Sequence, residues 1–224
     1  MNFHIISIFP EAIKSYFDTS ILGRAKEKEL IKVNIIDLKN FAEKAGKGDF
    51  NKVDDRPFGG GPGMVMKIEP IVKAIFKIKS QISNPENSKI IMFSPTGKQF
   101  TQKMAIDWAK KYDDMIMIAG RYEGVDARVK KVFKAEEISV GPYILTGGEL
   151  PAAIVADAVS RQIIGVLGKS ESLEEGRGLG YPLYTKPEIF EYNGKKYSVP
   201  KILLSGHHKK IEDWRKKKSK NFAK

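Results

Sequence analysis

The stretch Ser139–Pro151 reads SVGPYILTGGELP: an apolar, β-branched approach (Ile138, Val140) runs into Gly141, Pro142, Gly147 and Gly148, and a helix-like segment follows. Glycine at such a point permits a sharp turn or a close approach to something flat, because it has no Cβ to clash. Phe93–Gly97 (FSPTG) and Ala119–Gly124 (AGRYEG) each follow an apolar strand candidate, Ile90–Met92 and Met115–Ile118. Any one of these loops is equally well a tight strand-to-helix connection. Together, three strand-end loops carrying Gly, Pro, Ser and Tyr predict the walls of one ligand pocket, since open α/β sheets bind ligands beyond the carboxyl ends of their strands.

Other chemistries find little support. There is no G-x-x-x-x-G-K-[ST] and no strand-following G-x-G-x-x-G, so nucleotide-triphosphate use is not expected. His4, His207 and His208 do not form a metal-ligand set, and no Ser/His/Asp arrangement stands out. The absence of cysteine excludes disulfides and thiolate metal sites and suits a reducing cytoplasm, the expected location. No run approaches a membrane span, and MNFHIISIFPE lacks the basic flank and cleavage site of a signal peptide. The 39 Lys and Arg against 27 Asp and Glu give a net charge of +12. Half of that excess lies in His207–Lys224, with eight Lys or Arg against two acids, a cluster suited to a phosphate backbone or, more simply, a solvated terminal helix. Only seven of the basic residues are Arg, and planar, bidentate recognition makes each a stronger functional candidate than a Lys.

The elements that must position these groups alternate. Phe3–Phe9 and Ile31–Leu38 read as strands, and Pro10–Phe17 and Ile21–Leu30 as helices. Lys39–Gly63 reads as a long polar loop. Ile68–Ile82 has one apolar face at helical spacing. Strand Ile90–Phe93, helix Gln102–Lys111, strands Met115–Ala119 and Ala135–Val140, and helix Glu149–Ile163 complete an α/β order that predicts a parallel sheet covered by helices. The composition then changes to GVLGKSESLEEGRGLG, a linker. The predicted organisation is a domain over 1–166, a linker over 167–180 and a small basic helical domain over 181–224, too short to build a core alone.

Four motifs in order, DDRPFGGGPGMVM, GRYEGVDARV, YILTGGELPA and LLSGHH, resemble the bacterial tRNA (guanine-37-N1)-methyltransferase family of the knotted SPOUT superfamily, over Phe3 to Trp214. The resemblance implies a parallel α/β sheet with a deep trefoil knot, a homodimer, and S-adenosylmethionine as methyl donor to tRNA. The implied cofactor contacts are Phe93, Ser94, Pro95, Gly97, Gly120, Tyr122, Gly124, Val140, Gly141, Pro142, Tyr143, Ile144, Leu145, Gly147 and Gly148. Pro142 stands where the family usually has Asp, and proline removes a backbone donor at the pocket rim. Asp55 and Arg56 of the first motif, Arg121 and Glu123 of the second, and His207, His208 and Arg215 near the end are implied substrate contacts. Glu123 is alternatively a structural partner for Arg121 or Arg128.

Methylating N1 of guanine requires loss of the N1 proton while charge builds on O6, so a base and a cation are needed. The resemblance lands on Arg161 as the cation; its plainer reading is an ion pair with Asp157 at i−4. The family's linker Asp is replaced by Gly176, and a second linker Asp by Gly180, which leaves Glu175, or failing it Glu174, as the nearest carboxylates. Both are otherwise mere solubilising loop residues. The family's magnesium dependence brings in Mg2+ as a possible ion, but no carboxylate cage is visible in the sequence. The expected partners are tRNA and a second copy of the chain, with no DNA and no membrane. Two rivals stay open: a related knotted methyltransferase acting on another RNA, and an RNA- and cofactor-binding relic without turnover.

Overall fold

A computed structural model describes residues 1–45, 50–167 and 180–219, and the chain divides into two units, Met1–Gly168 and Lys169–Lys224.

In the first unit β1 (Asn2–Ser7) leads into α1 (Glu11–Phe17) and α2 (Ser20–Glu27), then β2 (Lys32–Asp37). The expected loop after β2 is not featureless. It contains a 3-10 turn, Leu38–Phe41, and short strands β3 (Lys44–Ala45), β4 (Phe50–Asn51) and β5 (Asp54–Asp55), the last paired with β6 (Val65–Met66). Then come α3 (Ile68–Lys79), β7 (Ser88–Gln99), α4 (Gln102–Lys111), β8 (Asp114–Ile118), α5 (Arg128–Phe133), β9 (Glu136–Ser139) and α6 (Glu149–Ser160).

Five strands pair in parallel in the order β2-β1-β8-β7-β9. Parallel strands need helical crossovers, which cover both faces, so the strands read as continuous apolar runs. The period of two then sorts the side chains. Phe3, Ile5, Ile91, Met115 and Met117 pack with Phe17, Trp108, Val155 and Val159 of the helices on one face. Ile6, Ile90, Met92, Ile116 and Ile118 pack with Ile71 and Ile75 of α3 on the other. The polar interruptions in this core are paired: His4 Nε2 lies 2.9 Å from Asp114 Oδ1, which also accepts from Asn2 Nδ2 at 2.9 Å.

One expectation is corrected here. FSPTG is not a loop that ends a strand. β7 continues to Gln99, with a break in register in which Phe93 and Lys98 both face Ile138. Ser94–Gly97 therefore loops out of a single strand. A Cβ on Gly97 would lie 2.7 Å from the Glu137 carbonyl carbon and the Ile138 nitrogen, so only glycine lets the strand resume against β9.

The second unit contains an antiparallel hairpin, β10 (Ile189–Tyr192) and β11 (Lys195–Ser198), followed by α7 (Lys201–Leu204) and α8 (His208–Lys218). The hairpin adds strand to a unit expected to be helical.

Candidate active site

The adjacent strands β8, β7 and β9 all run the same way, so the carboxyl ends of β8 and β9 and the mid-strand excursion of β7 bring the three glycine-bearing segments to one place. A cavity of about 270 Å³ lies between them. Its walls are Phe93 of β7 with Ser94 and Pro95 of its excursion, Gly120–Gly124 after β8, Ile138 and Ser139 at the end of β9 with Val140, Gly141 and Tyr143–Gly148 after it, and Pro151 of α6. Thirteen of the fifteen anticipated cofactor residues meet here; Gly97 and Pro142 are not among the lining residues.

The close packing of the backbones explains the composition. Gly148 N–H donates to the Gly120 carbonyl at 2.8 Å, and a Cβ on Gly148 would lie 2.6 Å from Ala119 Cα. Backbone cannot move aside as a side chain can, so this position tolerates no larger residue. Tyr122 holds a left-handed φ of 59° at the cavity wall, a strained conformation for a non-glycine residue. Burial, and then the charge of Asp54, pushes its phenol pKa up, partly offset by Arg121.

Arg121 is the hub. Its Nε donates to Glu149 Oε2 at 2.9 Å and its Nη1 to the Thr146 carbonyl at 3.1 Å, and the guanidinium stands 4.9 Å from the centroid of the Phe9 ring. Glu149 is 2 % exposed, and its Oε1 accepts Ser7 Oγ–H at 2.7 Å. At the first turn of α6 this buried carboxylate also faces the positive end of the helix. Charge, hydrogen bonds and dipole together offset its desolvation. Glu123, offered by the sequence as partner for Arg121 or Arg128, pairs with neither. Arg128 instead forks onto Asp126, with Nη2 2.6 Å from Oδ2, and holds that carboxyl below its ordinary range. Glu123 lies exposed, its side chain where a Cβ on Gly63 would stand.

Glu149, Ser7, Phe9 and Thr146 escaped sequence reading. Only Glu149 carried a signal, as an acid at the head of a mostly apolar helix.

The hairpin of β5 and β6 abuts the same cavity. Glu123 N–H donates to the Met64 carbonyl at 3.0 Å, and Met66 N–H to the Gly124 carbonyl at 2.9 Å. Asp55 and Arg56 are exposed at the start of the turn between these strands; Asp55 pairs with Lys52 at 2.8 Å, which with the Arg56 N–H lowers its pKa. Arg161 follows the last turn of α6, half-buried, without a hydrogen-bond or ion-pair partner for its guanidinium among the described residues. Its i−4 neighbour Asp157 is engaged by the Tyr16 hydroxyl, which raises the Tyr16 pKa to about 12, and the Arg161–Asp157 pair that was the alternative reading is not formed. Glu174 and Glu175 lie outside the described residues. In the second unit His207, His208 and Arg215 are exposed, and Arg215 stands 5.3 Å over the Tyr181 ring. Among the described residues no group of three or more His, Asp or Glu is placed to hold a metal ion.

A parallel α/β sheet with a glycine-walled cavity at its strand ends, and a basic unit following, defines a ligand-binding protein of the open-sheet class. Comparison gives the particular family. The family described as tRNA (Guanine-1)-methyltransferase TrmD matches residues 1–224, and the chain belongs to it. A tRNA (guanine-N(1)-)-methyltransferase of Clostridioides difficile is 46 % identical over 228 residues, covering 100 % of this chain and 94 % of that protein. The protein of the same name from Campylobacter jejuni is 42 % identical over 94 % of this chain and 88 % of its own. The crystal structure of the tRNA (m1G37) methyltransferase from Aquifex aeolicus superposes with a TM-score of 0.77 at 41 % identity, covering 96 % of this chain and 87 % of that one.

Proposed function

We propose that this chain transfers a methyl group from S-adenosylmethionine to N1 of guanine 37 of tRNA. Family membership together with the convergence of three glycine-bearing segments on one cavity carries the reading. The walls suit the donor: Ile138, Ile144 and Leu145 offer apolar surface to a flat base, and closely packed backbone offers polar groups without side-chain bulk. The donor supplies an electrophilic methyl group on a sulfonium sulfur. All else falls to the chain. Arg161 stabilises the charge that builds on O6, and Glu175 or Glu174 takes the N1 proton. Asp55, Arg56, Arg121 and Glu123 hold the guanine side. His207, His208 and Arg215 meet the RNA backbone.

Arg161 does not line the cavity of its own protomer. Thirteen residues separate it from Gly148, about 20 Å along the helix axis. That spacing favours a homodimer in which each Arg161 serves the partner's cavity. Exposed Ile144, Leu150 and Ile154 supply an apolar face for the contact. The same reading includes a trefoil knot at the cavity loops, a tRNA-binding role for 181–224 and a cytoplasmic location; no described helix is long and apolar enough to cross a membrane. Magnesium has no residues among those described to which it can be assigned.

A single-turnover assay on tRNA transcripts carrying G or A at position 37 tests the function. Transfer to G alone supports it. Binding of RNA and cofactor without transfer leaves the relic reading instead.

A further inference from the structure

The hairpin of the second unit turns through Asn193–Gly194, both at positive φ, which sets β10 opposite β11 in register. Phe190 faces Tyr197 and Tyr192 faces Lys195, so alternation collects Phe190, Tyr192, Tyr197 and Lys195 on one face. The other face carries the ion pair of Lys196 with Glu191 at 3.0 Å. All three rings are more than half exposed: Phe190 56 %, Tyr192 60 %, Tyr197 55 %. The planes of Phe190 and Tyr192 are within 8° of parallel with centroids 6.5 Å apart, about twice the ~3.4 Å repeat of stacked bases.

Three exposed rings on a short hairpin contribute little to its own stability, and a contiguous aromatic surface of this kind marks an interaction site. The surrounding charge indicates the partner. Gly180–Ser219 holds ten Lys or Arg against four Asp or Glu, a net of +6, which complements a polyanion. Ring faces interleaved with lysines are how proteins hold single-stranded nucleic acid, because every base presents a π-face to a ring while the cations follow the phosphates. We propose that the Phe190–Tyr192–Tyr197 face is a stacking platform for unpaired bases of the tRNA substrate. The inference rests on the proposed function and adds a contact by which the second unit distinguishes looped from paired RNA.

The test uses the full chain, an anticodon stem-loop transcript with 2-aminopurine at single loop positions, and a fully paired duplex of the same stem sequence. Stacking quenches 2-aminopurine at one or more loop positions on wild-type binding. Phe190→Leu with Tyr192→Leu lowers stem-loop affinity about 10-fold or more, leaves duplex affinity unchanged, and leaves the salt dependence unchanged because no phosphate contact is lost. Tyr192→Phe, which keeps the ring, retains affinity. The platform is overturned if no loop position is quenched in the wild type, a readout that needs no variant. It is also overturned if the folded double variant binds the stem-loop as the wild type does, while the tRNA reading stands. A double variant that changes its sedimentation and not its RNA affinity reveals a contact with another copy of the chain, which likewise overturns it. A wild type that binds neither the stem-loop nor whole tRNA removes the proposed function and this platform together.

Discussion

Arg121 and Glu149 form a half-buried ion pair with Nε 2.9 Å from Oε2, joining the loop after β8 to the head of α6. Through Nη1 the same guanidinium holds the Thr146 carbonyl, so one side chain fixes two of the cavity's three walls. Glu149 in turn is anchored to β1 by Ser7.

Glu149→Gln keeps the shape but leaves the Arg121 guanidinium with a neutral partner. Removing one member of a fully buried pair costs about 3–5 kcal/mol, and the partial exposure of Arg121 reduces this to roughly 2 kcal/mol. Urea unfolding reads the stability, and calorimetry should show weaker S-adenosylhomocysteine binding as the Thr146 wall loosens. Unchanged cofactor affinity would show that the pair serves folding alone.

The two glycines of the third wall should respond differently. Gly148→Ala meets Ala119 and Gly120 backbone at 2.6–2.7 Å, so cofactor binding should be lost or the fold impaired. Gly141→Ala meets the Tyr143 ring first, an exposed side chain able to rotate away, and should bind with a modest loss. Equal effects in calorimetry would refute the distinction between backbone and side-chain neighbours.

Arg161→Ala should slow single-turnover transfer about 10²–10³-fold while cofactor affinity is retained, since the charge it faces appears mainly in the transition state. If the cation crosses to the partner's cavity, co-expressing Arg161→Ala with a cofactor-deficient Gly148→Val chain should restore transfer. A hybrid dimer then has one intact cavity facing one intact arginine. No recovery from purified hybrids would put both groups in the same protomer.

The Tyr16–Asp157 contact predicts a pH response. The hydrogen bond, then burial and the carboxylate's charge, raise the folded-state pKa to about 12, above the ordinary 10. The folded state thus favours the neutral phenol. Its stabilising contribution is fully present below pH 10 and is lost as the pH rises towards 12. The pair is half exposed, so the contribution is at most about 1 kcal/mol. Tyr16→Phe should lower the urea midpoint at pH 8 and make its decline between pH 10 and 12 shallower than in the wild type.

The sequence by itself determined the alternation of elements, the parallel sheet and the cavity loops. Each is a local signal: continuous apolar strands with flanking glycines state that both faces are covered and that the backbone must pass closely at their ends. Asn193–Gly194 was a local signal too, for a hairpin in a unit expected to be helical. The tertiary structure alone decided which charges pair. Glu123 stands two residues from Arg121, yet Glu149 takes the guanidinium from 28 residues away, because the order β8-β7-β9 brings α6 back beside the loop after β8. It also decided that Tyr16 takes Asp157 and leaves Arg161 free of it. Such choices depend on which atoms meet, and sequence spacing fixes that only within one helix or one turn.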